Sequence, residues 1–139
     1  YEAFLDEDVR RAFLHGHSFT ANPIACAAAL ASLQIFKEEP VFERIAQIEG
    51  VYRERFDGLS KYPQVQSTRI LGSIGVVELA GEGGYFNNVG LKLRRAFHKA
   101  GFLMRPLGTV VYTLPPYITE PADLHRLYDH FEELLQQGL

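Results

Sequence analysis

The sequence predicts an α+β domain in which a small antiparallel sheet is covered by helices. Three observations carry this expectation. Several stretches repeat apolar residues at spacings of three and four, the helical period, and between them lie short runs rich in β-branched residues. The strand-like runs come in neighbouring pairs separated by glycine-containing turns, which suits antiparallel pairing. Of the 139 residues, 47% are apolar and 22% charged, enough apolar side chain for one core.

The first element is a helix opening at Asn22-Pro23. Asparagine is a good N-cap, and proline fits the first helical position, where its missing N–H costs nothing. Alanines at 25, 27, 28, 29 and 31 together with Cys26 keep its surface low, while Leu30, Leu33 and Phe36 form an apolar stripe, so a buried helix is expected. Glu38-Glu39-Pro40 breaks it. A second helix follows, with Val41, Phe42, Ile45, Ile48, Tyr52, Phe56 and Leu59 on its apolar side. Tyr62-Pro63 ends that pattern. Val65 to Leu71 and Ile74 to Leu79 then read as strands around Gly72-Ser73, either as a hairpin or as one long bulged strand. Gly81 to Gly84 forms a loop, after which Asn87 or Asn88 caps a helix ending near Ala100, with Gly101 as its left-handed terminator and Val89, Leu93, Ala96 and Phe97 as its apolar side. Two more strands are expected, Phe102 to Arg105 and Val110 to Leu114, hinged at Pro106-Leu107-Gly108 and stopped by Pro115-Pro116. The last helix is expected to be capped by Thr119, with a stripe of Leu124, Leu127, Tyr128, Phe131, Leu134 and Leu135.

Composition excludes several function classes. A formal charge of -3, with no basic cluster beyond pairs such as Arg94-Arg95, gives no footprint for nucleic acid or an anionic membrane. The apolar stretch Ile24 to Leu33 is far shorter than the roughly 20 residues of a membrane span, and no secretory signal is recognisable. A cytoplasmic origin is expected. Cys26 is the single cysteine, which excludes an internal disulfide and a cysteine metal cluster, and it reads as a small core residue. The chain opens Tyr-Glu-Ala-Phe and has its single methionine at Met104, so it reads as a piece of a longer protein.

Few residues stand out as chemistry. His15, Gly16, His17, Ser18 and Thr20 approach the positive end of the first helix, an arrangement that suits a phosphate or carboxylate, although an ordinary capped loop is the first reading of such a segment. Arg105 lies at the end of an apolar run and before a proline, suited to bidentate recognition of a carboxylate or phosphate, or to a structural ion pair. Tyr112 alternates with Val110 and Leu114, which fits core packing with the phenol at the edge. His98, His125 and His130 fall on helices at solvent-compatible positions without ligand-spaced partners, so no metal site is expected.

Three motifs in order, "HGHSFTANPIACAAALASL", "RILGSIGVVEL" and "GFLMRPLGTVVYTLPPYI", resemble the C-terminal part of class III pyridoxal-phosphate-dependent aminotransferases. More narrowly, the Arg-Pro, Gly and Tyr-x-x-Pro-Pro-Tyr run is similar to the branch that serves biotin biosynthesis. The resemblance implies a fold-type I transferase in which residues 1–39 end the large cofactor-binding domain and its connecting helix, and residues 40–139 form the small C-terminal domain. It implies pyridoxal 5'-phosphate as cofactor, with His17 and Ser18 touching its phosphate across the interface of a homodimer, and Gly16 lying against substrate. Arg105 matches the arginine that holds the substrate carboxylate, and Tyr112 a tyrosine of that pocket. The implied reaction moves an amino group from S-adenosylmethionine to 7-keto-8-aminopelargonate, giving 7,8-diaminopelargonate; the alternative is a relative acting on ornithine, 4-aminobutyrate or a similar ω-amine. None of Lys37, Lys61, Lys92 and Lys99 sits in the family's Schiff-base motif, so that lysine is expected upstream of Tyr1 and residues 1–139 alone are expected to be inactive. A non-catalytic packing module is the reading from a different class.

Overall fold

The computed structural model describes residues 2–81 and 88–138. It divides into two compact units, Tyr1–Glu39 and Pro40–Leu139. Most of the predicted 81–84 loop, and Asn87 as a cap, lie outside the described residues.

In the first unit, two short 3-10 turns, Glu2–Phe4 and Val9–Arg11, precede helix α1, Pro23–Glu38. The predicted cap is present: Asn22 Oδ1 accepts the backbone N–H groups of Ile24 and Ala25 at 3.0 and 3.1 Å. The expected burial is not. No residue of α1 is buried, Ile24 and Leu30 are 80% and 68% exposed, and Cys26 is exposed rather than a core residue. A helical stripe is buried only against a second layer, and the described residues of this unit supply two 3-10 turns and one helix.

The second unit supplies the layers. Glu39, immediately before Pro40, is extended at φ -112° and ψ 153°, which separates α1 from α2, Val41–Leu59. Strands β1, Val65–Leu71, and β2, Ile74–Leu79, form an antiparallel hairpin closed at Leu71 and Ile74, which resolves the two alternatives in favour of the hairpin. Gly72 makes the turn at φ +53°, in the left-handed region where a side chain is strained. After α3, Asn88–Lys99, strand β3, Val110–Thr113, pairs antiparallel with β2, and α4, Pro121–Gln136, completes the order. The sheet runs β1-β2-β3. The α+β expectation is therefore met.

One face of the sheet, carrying Val77, Leu79 and Val111, joins Ile48, Tyr52, Phe56 and Leu59 of α2, Leu93 and Phe97 of α3, and Leu124, Tyr128, Phe131 and Leu135 of α4 in a single core. Its polar atoms are paired. Tyr52 Oη donates to the Ser73 carbonyl at 3.1 Å, and the Thr113 and Tyr128 hydroxyls lie 2.9 Å apart. Burial pushes both phenols well above the ordinary tyrosine range, the Thr113 contact opposing the rise at Tyr128. At the margin, Arg55 bridges Asp129 at 2.6 Å and Glu132 at 3.2 Å, while Tyr62 Oη donates to Glu132 at 3.0 Å, tying α2 and its exit to α4.

Four details differ from expectation. Phe42 is 69% exposed, because the core-facing stripe of α2 runs through Val41, Ile48, Val51 and Tyr52 and leaves it to one side. Phe102 to Arg105 is not a strand. Its first N–H, from Phe102, returns to the Phe97 carbonyl at 2.8 Å and Gly101 N–H to His98 at 3.0 Å, so the helix-ending motif around Gly101 (φ +88°) takes these donors before a ladder can form. Strand β3 ends at Thr113, one residue before Leu114. Thr119 does not cap α4; Glu120 is the N-cap, without a side-chain bond, and Pro121 in the first turn has no N–H of its own to cap.

Candidate functional site

Two groups of predicted site residues fall in the two units, and each is taken separately. In the first unit, the approach to α1 is a ring-lined segment. The side chains of Phe13, His15, His17 and Phe19 follow one another, with centroids 5.4, 4.9 and 5.0 Å apart, an every-second-residue ladder. The chain then turns: Thr20 N–H donates to the His17 carbonyl at 2.9 Å and His17 N–H to Thr20 Oγ1 at 2.7 Å. Ala21 follows at φ +61°, a conformation that costs a non-glycine residue about 1–2 kcal/mol.

That geometry changes the reading of the helix terminus. Pro23 has no N–H, Asn22 Oδ1 takes those of Ile24 and Ala25, and Cys26 N–H goes to the Asn22 carbonyl at 2.9 Å. The first turn of α1 is thus satisfied by its own cap, and its N–H groups are not offered to an anion. Gly16, His17 and Ser18 remain exposed just before it. A hydroxyl and an imidazole are donors of the kind that a phosphate group accepts.

In the second unit, Arg105 and Tyr112 line one cleft of about 520 Å³, within the range of small-molecule sites. Three stretches form it: Gly101 to Arg105, Tyr112 to Pro116, and the start of α4 at Thr119, Asp123, Leu124 and Leu127. Tyr112 pairs across the ladder with Val76, on the sheet face opposite Val111, so it is half-buried over the cleft rather than in the core. Arg105 is exposed at the mouth. Pro115 and Pro116, which stop the strand and belong to the Tyr-x-x-Pro-Pro-Tyr run, are cleft walls without N–H groups. Thr119, read from sequence as a helix cap, and Asp123 in the first turn of α4 line the same cleft. Arg105 is the cation among the residues that line the cleft.

The histidines do not assemble a metal site, and among the described residues no cluster of metal-binding side chains occurs. His130 is less exposed than its sequence position suggests: its side chain is 25% exposed, with its ring 6.0 Å from Phe97 and 6.3 Å from Phe102. Among the described residues, no helix is long and apolar enough to cross a membrane.

The aminotransferase class-III family matches residues 2–135, nearly the whole chain. The chain belongs to the class III aminotransferases. Among its class III relatives, adenosylmethionine-8-amino-7-oxononanoate aminotransferase of Synechococcus elongatus is 38% identical over 139 residues, covering 99% of this chain and 32% of the relative. The enzyme of the same name from Methanocaldococcus jannaschii has a crystal structure that superposes with a TM-score of 0.80 at 28% identity, covering 96% of this chain and 32% of that one. The omega transaminase of Pseudomonas jessenii, solved in complex with PMP, superposes with a TM-score of 0.76 at 25% identity over 91% of this chain and 30% of that one. This class III chain spans about a third of the length of the relatives it matches.

Proposed function

We propose that this chain is the C-terminal part of a pyridoxal-phosphate-dependent transaminase that transfers an amino group from S-adenosylmethionine to 7-keto-8-aminopelargonate in biotin biosynthesis. The observation that carries the reading is the shared cleft of Arg105 and Tyr112, a guanidinium and a phenol on one apolar-walled site. The names of the Synechococcus and Methanocaldococcus relatives support the choice of substrates. Residues 1–39 then belong to the end of the large cofactor-binding domain and residues 40–139 to the small domain, in a cytoplasmic homodimer.

In this reading each residue has a physical task. His17 and the Ser18 hydroxyl hold the cofactor phosphate by hydrogen bonds, and Gly16 leaves room for substrate beside them. The cofactor supplies an electron sink for the carbon that loses or gains the amine. Arg105 pairs with the acceptor's carboxylate through two parallel N–H bonds, which fixes the orientation of a long, flexible molecule. Tyr112 lines the same pocket, its ring covering the aliphatic chain and its hydroxyl available to a polar group. The lysine that binds the cofactor and moves the proton lies outside residues 1–139.

The test is the amino-donor half-reaction on the complete protein, followed by cofactor absorbance. Conversion to the pyridoxamine form with S-adenosylmethionine, and not with ornithine or 4-aminobutyrate, is the expected result. Conversion with an ω-amine alone moves the assignment to a sister transaminase of the omega type. Arg105→Ala is expected to weaken acceptor binding by about 2–4 kcal/mol through the lost charged pair, read as a raised acceptor KM. An unchanged KM removes the carboxylate role from Arg105.

A further inference from the structure

Arg105 and Tyr112 are joined by a tight backbone turn. Leu107 N–H donates to the Val110 carbonyl at 2.8 Å and Val110 N–H to Leu107 at 3.0 Å, with Gly108, at φ +60°, and Thr109 between them. Both turn residues are buried, and the Thr109 carbonyl accepts the Leu79 N–H at 2.9 Å, anchoring the turn to β2. Only Pro106 separates Arg105 from this turn, and only Val111 separates it from Tyr112. The turn therefore sets the placement of the two side chains relative to each other.

A buried glycine of α3 presses on it. A Cβ at Gly90 would lie 2.7 Å from the Gly108 carbonyl oxygen and 3.3 Å from its nitrogen, both backbone atoms. The other helical and strand glycines differ. At Gly75 the atoms nearest a Cβ belong to the Phe56 and Tyr52 rings, and at Gly50 it would meet nothing within 4 Å. Glycine within a helix is destabilising relative to alanine, so Gly90 needs a local reason, and backbone approach to the turn is one. A methyl group there forces helix and turn apart, from 2.7 Å towards the 3.4 Å of ordinary contact.

We infer that Gly90 is a positioning residue for carboxylate recognition: its missing side chain lets α3 seat the Leu107–Val110 turn that places Arg105 and Tyr112 on their cleft. The inference rests on the substrate roles proposed above for those two residues. Gly90 touches no substrate and acts through the turn. Displacement of a recognition group by a fraction of an ångström weakens acceptor binding before it affects the chemistry.

The test uses the complete, cofactor-loaded enzyme and the keto acceptor. Gly90→Ala is expected to raise acceptor KM by about tenfold while kcat stays within roughly twofold, a split that general loss of folded enzyme does not produce. Gly50→Ala, a helical glycine in open space, leaves both unchanged. Pro106→Ala adds no heavy atom but frees the backbone at Arg105; it is expected to raise KM several-fold, and if Gly90→Ala does not fold, an unchanged KM here overturns the inference, because the turn then does not set the placement of Arg105. An unchanged KM in folded Gly90→Ala, with a raised KM in Arg105→Ala, overturns the inference and leaves the proposed site standing. An unchanged KM in Arg105→Ala overturns both. A fall in kcat with unchanged KM assigns Gly90 a general structural role and also overturns the inference.

Discussion

The two units bury their apolar residues to opposite extents. Pro40–Leu139 carries two helices with full apolar stripes, a third with a shorter one, and a sheet that all of them share, so Tyr52, Phe97 and Phe131 are 0–1% exposed. Tyr1–Glu39 has a well-capped helix with a comparable supply of apolar side chains, yet Ile24, Leu30 and Leu33 are 59–80% exposed. The difference teaches that capping and periodicity specify a helix, whereas burial needs a second surface. It also separates two kinds of candidate site. Arg105 and Tyr112 stand on a scaffold with its own core, while His17 and Ser18 sit on a segment without one.

The comparison predicts where the chain is sensitive. The largest effect is expected in the second unit: Phe131→Ala should cost about 3–5 kcal/mol, measured by denaturant unfolding of the 139-residue chain, by removing a ring from a closed core. A loss under about 1 kcal/mol would break the contrast, since it would make that core as loose as the first unit. The alkaline limb comes next. Tyr52 and Tyr128 have raised phenol pKa values in the folded state, so the unfolded chain ionises first as pH rises, binds fewer protons and gains stability. The stabilisation is fully present below about pH 10 and is expected to fall by roughly 1.4 kcal/mol per pH unit per tyrosine above it. Tyr52→Phe should flatten that fall, as pH-jump unfolding would reveal. The smallest effect belongs to α1: Leu30→Ser should change the stability of the 139-residue chain by no more than about 0.5 kcal/mol. The same substitution in the complete protein sharpens the comparison, because a loss of several kcal/mol there identifies the stripe as a covered surface.

Much of the second unit was legible because its signals are local. The two strands around Gly72-Ser73, the helix end at Gly101 and the stripe from Leu124 to Leu135 all follow from spacing or from a residue with a special backbone conformation. Misreadings occurred where non-local partners decide. Phe102 to Arg105 has strand-like composition, but α3 captures its first donor. Cys26 and the alanines look like core because they are small and apolar, and only a facing surface could make them so. At the candidate site, Arg105 was visible as a cation between an apolar run and a proline. Its cleft was not, because Pro115, Thr119 and Asp123 join it only after the sheet and α4 have assembled. Gly90 carried no sequence signal beyond being a glycine in a helix; its meaning lies in the backbone of Gly108.

The pairing of α2 with α4 has a consequence for biosynthesis. Tyr52 and Phe56 of α2 meet the ring of Tyr128 edge-on, and Arg55 finds its carboxylates on α4, so the apolar side of an early helix is completed by the last one. At a translation rate of roughly 5–20 residues per second, α2 leaves the ribosome several seconds before α4. Through that interval the nascent polypeptide can lay this stripe against the hairpin but not against the rings and carboxylates of α4, so part of it stays uncovered. A stop codon or frameshift within Pro121–Gln136 would make that interval permanent, and the product would be a substrate for chaperones and proteases rather than a slightly shortened domain.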